Sequence, residues 1–396
     1  MQVLENVQVV ELTEALAGPY AAMLLGDLGA EVIKIERPGV GDQSRRWGAR
    51  LPGGESAYFC STNRNKRSLS LNITSAEGQA VLYRLLESTD VLLCNIPRAE
   101  SLRRAGLHPD TLRTRFPRLI FASISGYGHS GPKAGRSGYD LVAQGEAGLM
   151  SVTGTEDTVP MRYPMPLADM TTGLYTVIGV LAALRVRDQT GQGQVLDQSL
   201  LEGQAAYLTV LAGDYFATGR APQPVGNAHS GIVPYQVFHT ADKDVVIAVG
   251  SDKQWAQFCG VLGVEPAVRD DARFATNPAR LAHRAEVVPL LQAKLAPWAS
   301  AALLERLQAA EIPCGPINSL PDSLSDEHYR ARGNIVDFEH PSAGTLHTLA
   351  NPVRLSDTPP TYRLPPPRLG EHTDAVLAEL GYGGEEVEAL RSAGHL

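Results

Sequence analysis

Cysteine is scarce, with four in 396 residues. Cys60, Cys94, Cys259 and Cys314 stand apart with no CxxC pair. That excludes a disulfide framework and a thiolate zinc site, and it fits reduced thiols in a cytoplasm. Basic charge is also short: 35 Lys+Arg against 43 Asp+Glu leave a net charge of −8, with no basic tail. Nucleic-acid binding, which needs clustered Lys and Arg, is therefore not expected. The opening MQVLENVQVVEL has no positive region followed by an apolar one, so no signal peptide is read. The longest apolar stretch in a helical pattern, Leu174 to Leu184, falls short of the roughly 20 residues that span a bilayer. The ten histidines form no HExxH or HxH, so no metal site is legible. The first βα turn, Glu14-Ala15-Leu16-Ala17-Gly18-Pro19, has no GxGxxG, which removes the usual dinucleotide fingerprint there, and the absence of GxSxG gives a hydrolase elbow no support. Ser130-Gly131-Pro132-Lys133 matches S-x-x-K but lacks the companion K-T-G.

What is present is enough apolar material for a full core, 43% hydrophobic against 20% charged, over a length that suits two or three domains. The first 130 residues alternate strand-like runs (Val7–Leu12, Glu31–Glu36, Arg67–Ile73, Asp90–Ile96, Leu119–Ser125) with helical patterns. That alternation predicts βαβ units and a parallel, helix-covered sheet, whose ligands bind beyond the carboxyl ends of the strands. The segments to watch are then Thr13–Pro19, Arg37–Asp42, Asn95–Arg104 and Gly126–Tyr139. A long helix is expected over Met170–Asp188 and another near Glu202–Phe216. Residues 218–234 are rich in Gly, Pro and polar residues. A hairpin follows at Tyr235–His239 and Val245–Val249, and a final helix starts at about His372. The expected division is 1–200 as the first part of a large domain, 201–224 as linker, 225–325 as a small α+β domain, and 326–396 as a connector returning to the large domain.

Among single residues, Arg37 and the Asn65-Lys66-Arg67 cluster lie at strand ends, where basic groups can hold a phosphate. Asn95 with Arg103 and Arg104 makes a second such rim. For each, solvated surface charge is the plain alternative. Glu36 ends the second strand where a ribose-binding acid would sit, but the preceding turn lacks the glycines. Gly18-Pro19 reads as a tight turn into a helix. Asp169 precedes a long helix. It reads either as an N-cap or as a nucleophile kept ionised by the helix N-terminus. Spacing leaves both open.

Five blocks carry a resemblance over essentially the whole chain: GPYAAMLLGDLGAEVIKIERPGVGD (18–42), NRNKRSLSLNI (63–73), YDLVAQGEAGLMSVTG (139–154), PLADMTTGLYTVIGVLAALRVRDQTGQGQVLDQSLLE (166–202) and LGEHTDAVLAELG (369–381). The sequence resembles the class III coenzyme A transferase family, of the CaiB/BaiF type. The resemblance implies an α/β fold with a Rossmann-like large domain built from both chain ends. It also implies a smaller α+β domain and ring-like subunits interlocked as a homodimer. It implies Asp169 as the catalytic carboxylate. It implies coenzyme A contacts at Ala15, Leu16, Ala17, Arg37, Leu71, Asn95, Ile96, Arg104 and Tyr139, and substrate contacts at Trp47 and Asp140. No permanently bound cofactor and no metal are implied; coenzyme A and acyl-CoA are substrates. Backbone N–H groups of the first loop or of the Gly226–Gly231 segment are candidates for holding tetrahedral oxyanions. Leu16 stands where the family's formyl-CoA transferases carry Gln, and their tetraglycine loop is absent, which argues against formyl or oxalate transfer.

The expected activity is transfer of CoA from a donor such as succinyl-CoA to a small carboxylic or dicarboxylic acid, through aspartyl anhydride and aspartyl-CoA thioester intermediates. The alternative of the same fold is an α-methylacyl-CoA racemase. Racemases of the family place a His where this chain has Tyr139, and a phenol with an ordinary pKa near 10 is a poor base at neutral pH. A non-catalytic CoA-binding homologue is the third reading. The expected setting is a cytoplasmic homodimer, without nucleic-acid or membrane partners.

Overall fold

The computed structural model describes residues 1–396. The chain divides into two compact units. The first comprises Met1–Met150, Arg162–Arg220 and Arg330–Leu396, and the second Ser151–Met161 and Ala221–Tyr329.

The first unit is organised on a six-stranded parallel sheet of order β3-β2-β1-β4-β5-β6. In chain order its elements begin with β1 (Gln8–Leu12), α1 (Ala17–Asp27), β2 (Glu31–Glu36), α2 (Ala57–Thr62), β3 (Lys66–Ser70), α3 (Ala76–Leu86) and β4 (Val91–Cys94). They continue with α4 (Ala99–Arg104), α5 (Pro109–Arg115), β5 (Ile120–Ser125), α6 (Asp140–Glu146), α7 (Leu167–Thr190), β6 (Val195–Ser199), α8 (Leu200–Ala205) and α9 (Thr209–Thr218). The central strands are rich in apolar residues because both faces are covered. Val10, Ile33 and Leu92 point to one core with α3 and the C-terminal residues Val376 and Leu377. Their neighbours Val9, Val32 and Leu93 point to the other, under α1 and α7. The strand order reverses between β1 and β4, so a crevice opens there at the carboxyl ends of the strands.

Several expectations need correction. Residues 201–218, assigned to the linker in the expected division, cluster with the first unit, and the helix expected near Glu202–Phe216 is two, α8 and α9. Conversely, 151–161 cluster with the second unit. The last helix is two, Thr373–Glu379 and Gly384–Ser392, broken at Gly381, whose φ of +80° a helix cannot accommodate. Helix α7 begins three residues earlier than expected and runs for 24 residues. By length and composition it could cross a bilayer, and half of its apolar window is buried inside the chain. It packs on α1, α8, β5 and β6.

The second unit holds a three-stranded antiparallel sheet, β7 (Tyr235–His239), β8 (Asp244–Ala248) and β9 (Cys314–Pro316), with β8 central. Its own core gathers Phe238, Val245, Ile247, Trp255, Phe258 and Leu291. The hairpin pattern made β7 and β8 legible. β9, three residues containing Gly and Pro, carries no periodic signal.

Candidate active site

A cavity of about 930 Å³ opens at the switch point in the first unit. Its walls come from the loops after β1, β2, β4 and β5 and from the start of α7. Ala15, Leu16, Ala17, Arg37, Trp47, Leu71, Asn95, Ile96, Tyr139, Asp140 and Asp169 all line it. Arg104, the last residue of α4, is exposed and is not among the lining residues. The helix carries it away from the strand end on which the reading relied.

The first loop is held in a demanding conformation. Ala15 has a φ of +74°, left-handed backbone that a residue with a Cβ adopts only under constraint. The constraint is visible. The Ala15 N–H donates to Asp42 Oδ1 at 3.1 Å. Asn95 clasps Glu14 on both sides, accepting from its N–H and donating to its carbonyl. At Gly18 a Cβ would lie 2.3 Å from the Thr13 side chain, so only glycine lets α1 start so close to the loop.

Beneath the loop lies a fully buried charge network. Lys34 Nζ bonds Glu11 Oε1 at 2.8 Å and Asp42 Oδ2 at 2.9 Å, and donates to the Thr13 carbonyl. Lys66 Nζ bonds Glu11 Oε2 at 2.8 Å, Asn63 and the Pro19 carbonyl. Burial pushes the Lys66 ammonium down to about 8, against the pull of Glu11. Burial alone would raise the acids, yet the lysines hold Glu11 below the ordinary carboxylate range and, with backbone N–H donors, bring Asp42 to about 2. Lys66 is therefore structural, not the phosphate ligand that its place in the cluster suggested. Arg67 likewise pairs with Glu31 and Glu379. Glu36 is sealed by a bidentate pair with Arg45 at 2.7 Å and by Ser68, so it presents no free carboxylate to a ribose. Arg37 is more than half exposed at the mouth and pairs with Glu14 at 3.1 Å.

Asp169 occupies the third position of α7, whose N-cap is Pro166, so it is not the cap. It accepts a hydrogen bond from the Ala17 backbone N–H, which directs the first loop at the carboxylate. Burial, followed by the neighbouring Asp140 charge, raises its pKa from the ordinary 3.8 to about 7. The helix N-terminus was expected to keep this group ionised at neutral pH, but burial outweighs it. Asp140, first residue of α6, fixes the approach of α7 by accepting from the Ala168 N–H at 2.8 Å and from Gln144 at 2.7 Å. Gly126 at the end of β5 and Gly138 meet so closely that a Cβ on Gly126 would be 2.6 Å from the Gly138 Cα. That contact puts Tyr139 beside the strand end.

The sequence reading missed two wall residues and the network below them. Tyr58 on α2 packs edge-on against Trp47, with ring centroids 5.4 Å apart. Burial and then the Asp169 charge raise its hydroxyl to about 12, so it stays a neutral phenol in the wall that also holds the carboxylate. Arg162 lines the cavity from the strand-less segment before α7. For the network a signal existed: Glu11 in VVEL and Lys34 in VIKIE interrupt strands that are otherwise apolar. Parallel pairing sets them opposite each other. The oxyanion candidates Gly226–Gly231 lie in the second unit. No cluster of His, Cys, Asp or Glu suited to a metal ion occurs.

The profile of CoA-transferase family III matches residues 4–373. A succinate–glutarate CoA-transferase of Agrobacterium fabrum is 41% identical over 383 residues, covering 95% of each chain. The mouse succinyl-CoA:glutarate CoA-transferase is 40% identical over all of this chain and 90% of its own. A solved CAIB/BAIF family protein from Brucella suis superposes with a TM-score of 0.86 at 38% identity, over 96% of this chain and 100% of that one. Fold, crevice and sequence thus converge, and the chain belongs to the class III CoA-transferases.

Proposed function

We propose that this CoA-transferase carries CoA from succinyl-CoA to a small dicarboxylic acid of the glutarate type, with Asp169 as the covalent nucleophile. One observation carries the reading: an uncapped carboxylate in the first turn of α7, touched by the Ala17 N–H, stands in the wall of a cavity at the sheet's switch point. Relatives named for succinyl-CoA and glutarate support the choice of substrates.

The chemistry follows from the group. Ionised Asp169 attacks the donor thioester carbonyl; the C–S bond breaks, giving an aspartyl–succinyl anhydride and CoA thiolate. The thiolate adds to the aspartyl carbonyl and releases succinate, leaving aspartyl-CoA thioester. The acceptor carboxylate attacks that carbonyl, expelling thiolate and forming a second anhydride. Thiolate then attacks the acceptor acyl carbon, which yields the new acyl-CoA and free Asp169. Each step exchanges one acyl bond for another, and no proton is consumed. The Ala17 N–H and the Tyr58 hydroxyl are suited to steady charge on the aspartyl oxygens. Racemisation has less support, because no histidine lines the cavity and Tyr139 is mostly exposed. We also take the working form to be a homodimer, supported by the exposed apolar residues Tyr175, Ile178, Val210 and Phe216 on α7 and α9.

The test is to incubate the full chain with succinyl-CoA and glutarate and to follow acyl-CoA species by mass spectrometry. Glutaryl-CoA should form, and Asp169→Ala should abolish it. Deuterium entering the α-carbon of a 2-methylacyl-CoA without transfer would sink the reading in favour of the racemase. CoA binding without either reaction would point to a non-catalytic homologue.

A further inference from the structure

The charges around the cavity do not cancel, and the remainder has a direction. Seven charged residues line it: Glu14, Glu36, Arg37, Asp42, Asp140, Arg162 and Asp169. Three of the acids are answered within the protein. Glu14 has Arg37, Glu36 has Arg45 and Asp42 has Lys34. Asp140 is spent on the Ala168 N–H and the Gln144 amide. Asp169 faces the cavity. Arg162, exposed on the wall, is the one of its two cations without an ion pair, Arg37 being held by Glu14.

Its position is nevertheless built. The next residue, Tyr163, donates its N–H to Gln144 Oε1 at 2.8 Å and accepts from Gln144 Nε2 at 3.3 Å; the same amide reaches the Met165 carbonyl at 3.2 Å. Gln144 is fully buried and is itself held by Asp140. Pro164 and Pro166 restrict the backbone between these anchors and α7. One buried amide therefore ties the segment that presents Arg162 to the same carboxylate that seats the first turn of α7, where Asp169 sits.

We propose that Arg162 binds the non-reacting carboxylate of the dicarboxylic substrates, and so selects dicarboxylates over monocarboxylates. The inference rests on the dicarboxylate reading above. A dicarboxylate brings two negative ends. One must reach the aspartyl carbonyl. The other enters a wall that already holds Asp140 and Asp169, where an unpaired carboxylate would be both desolvated and repelled. A guanidinium matches a carboxylate with two parallel donors, and it stays charged at every working pH. The same contact would serve the free carboxylate of succinyl-CoA on the donor side.

The experiment uses the full chain, Arg162→Gln and Arg162→Lys, with glutarate and valerate as acceptors and succinyl-CoA and butyryl-CoA as donors. Loss of a charged hydrogen-bond partner predicts that Arg162→Gln raises the glutarate KM about 10- to 100-fold, with kcat changed far less. The pair butyryl-CoA and valerate brings no second carboxylate on either side, so its kinetics should change far less than those of glutarate, which also shows that the variant is folded. Arg162→Lys should recover part of the glutarate affinity and not all of it, since it keeps the charge and loses the fork. A glutarate KM within about two-fold of wild type overturns the proposal, as does an equal loss for valerate with butyryl-CoA as donor; the two-fold limit lies well below the cost of a charged hydrogen bond. If the wild-type chain moves CoA to no dicarboxylate, the dicarboxylate reading fails and Arg162's role with it. Transfer to glutarate that is indifferent to Arg162 overturns this inference alone.

Discussion

Asp169→Asn should make the folded protein more stable at pH 8 than the wild type while abolishing transfer. The carboxyl is raised from 3.8 to about 7, first by burial and then by Asp140. A group that holds its proton more tightly when folded stabilises the chain below its unfolded pKa and loses that contribution as pH rises through its folded pKa. At pH 8 the wild type must therefore keep a partly buried carboxylate ionised beside a second one. The full shift corresponds to about 4 kcal/mol at that pH. Asp169 retains some solvent contact, so a gain of about 2 kcal/mol is the working figure. An Asn still accepts from the Ala17 N–H and adds no volume, so little else changes. The gap should shrink with acidity, to less than half its pH 8 value by about pH 5. Urea unfolding of both proteins at pH 5 and pH 8, followed by far-UV circular dichroism, reads it directly. An Asn variant no more stable than wild type at pH 8, or a gap independent of pH, refutes the reasoning. It would mean that the site already solvates the carboxylate.

The same shift sets the pH dependence of the reaction. For the free enzyme, kcat/KM for succinyl-CoA should rise with pH and level off above a limb near 7, where Asp169 becomes ionised. Asp140→Asn removes the second cause of the elevation, so its limb should move to lower pH; a limb unchanged by the substitution counts against that coupling. Lys34→Met strands Glu11 and Asp42 without a shared cation in a dry interior and should cost about 3–5 kcal/mol in urea unfolding. A loss under about 1 kcal/mol would mean that the network relaxes or takes in water.

How legible the site was depended on the range of the interaction. Ala15, Ala17, Arg37, Asn95 and Tyr139 follow strand ends, and the parallel-sheet rule was enough to bring them together. Arg104 failed because α4 intervenes between the end of β4 and its side chain. Lys66 failed for a different reason. Its surroundings in NRNKRS read as solvated charge, whereas the chain turns it inward onto Glu11 across the sheet. Tyr58 and Arg162 sit on segments with no strand before them, so no rule of position singled them out.

Periodicity and strand-end position are local properties of the chain, and from them the sequence alone determined the parallel sheet and the strand-end segments that line the crevice, whereas Asp169 as nucleophile came only with the resemblance. Its five motif blocks carried the family. The scarcity of cysteine and of positive charge argued against disulfides, thiolate zinc and nucleic acid, but said nothing about what holds the site together. Only the tertiary structure decided the ionisation of Asp169, because burial and a neighbour 29 residues away in sequence outweigh the helix end on which the residue sits. Tertiary structure likewise sorted the charges. It paired Glu14, Glu36 and Asp42 with cations and left Arg162 without an ion pair, because charges are cancelled by distance and dielectric, and neither is written along the chain.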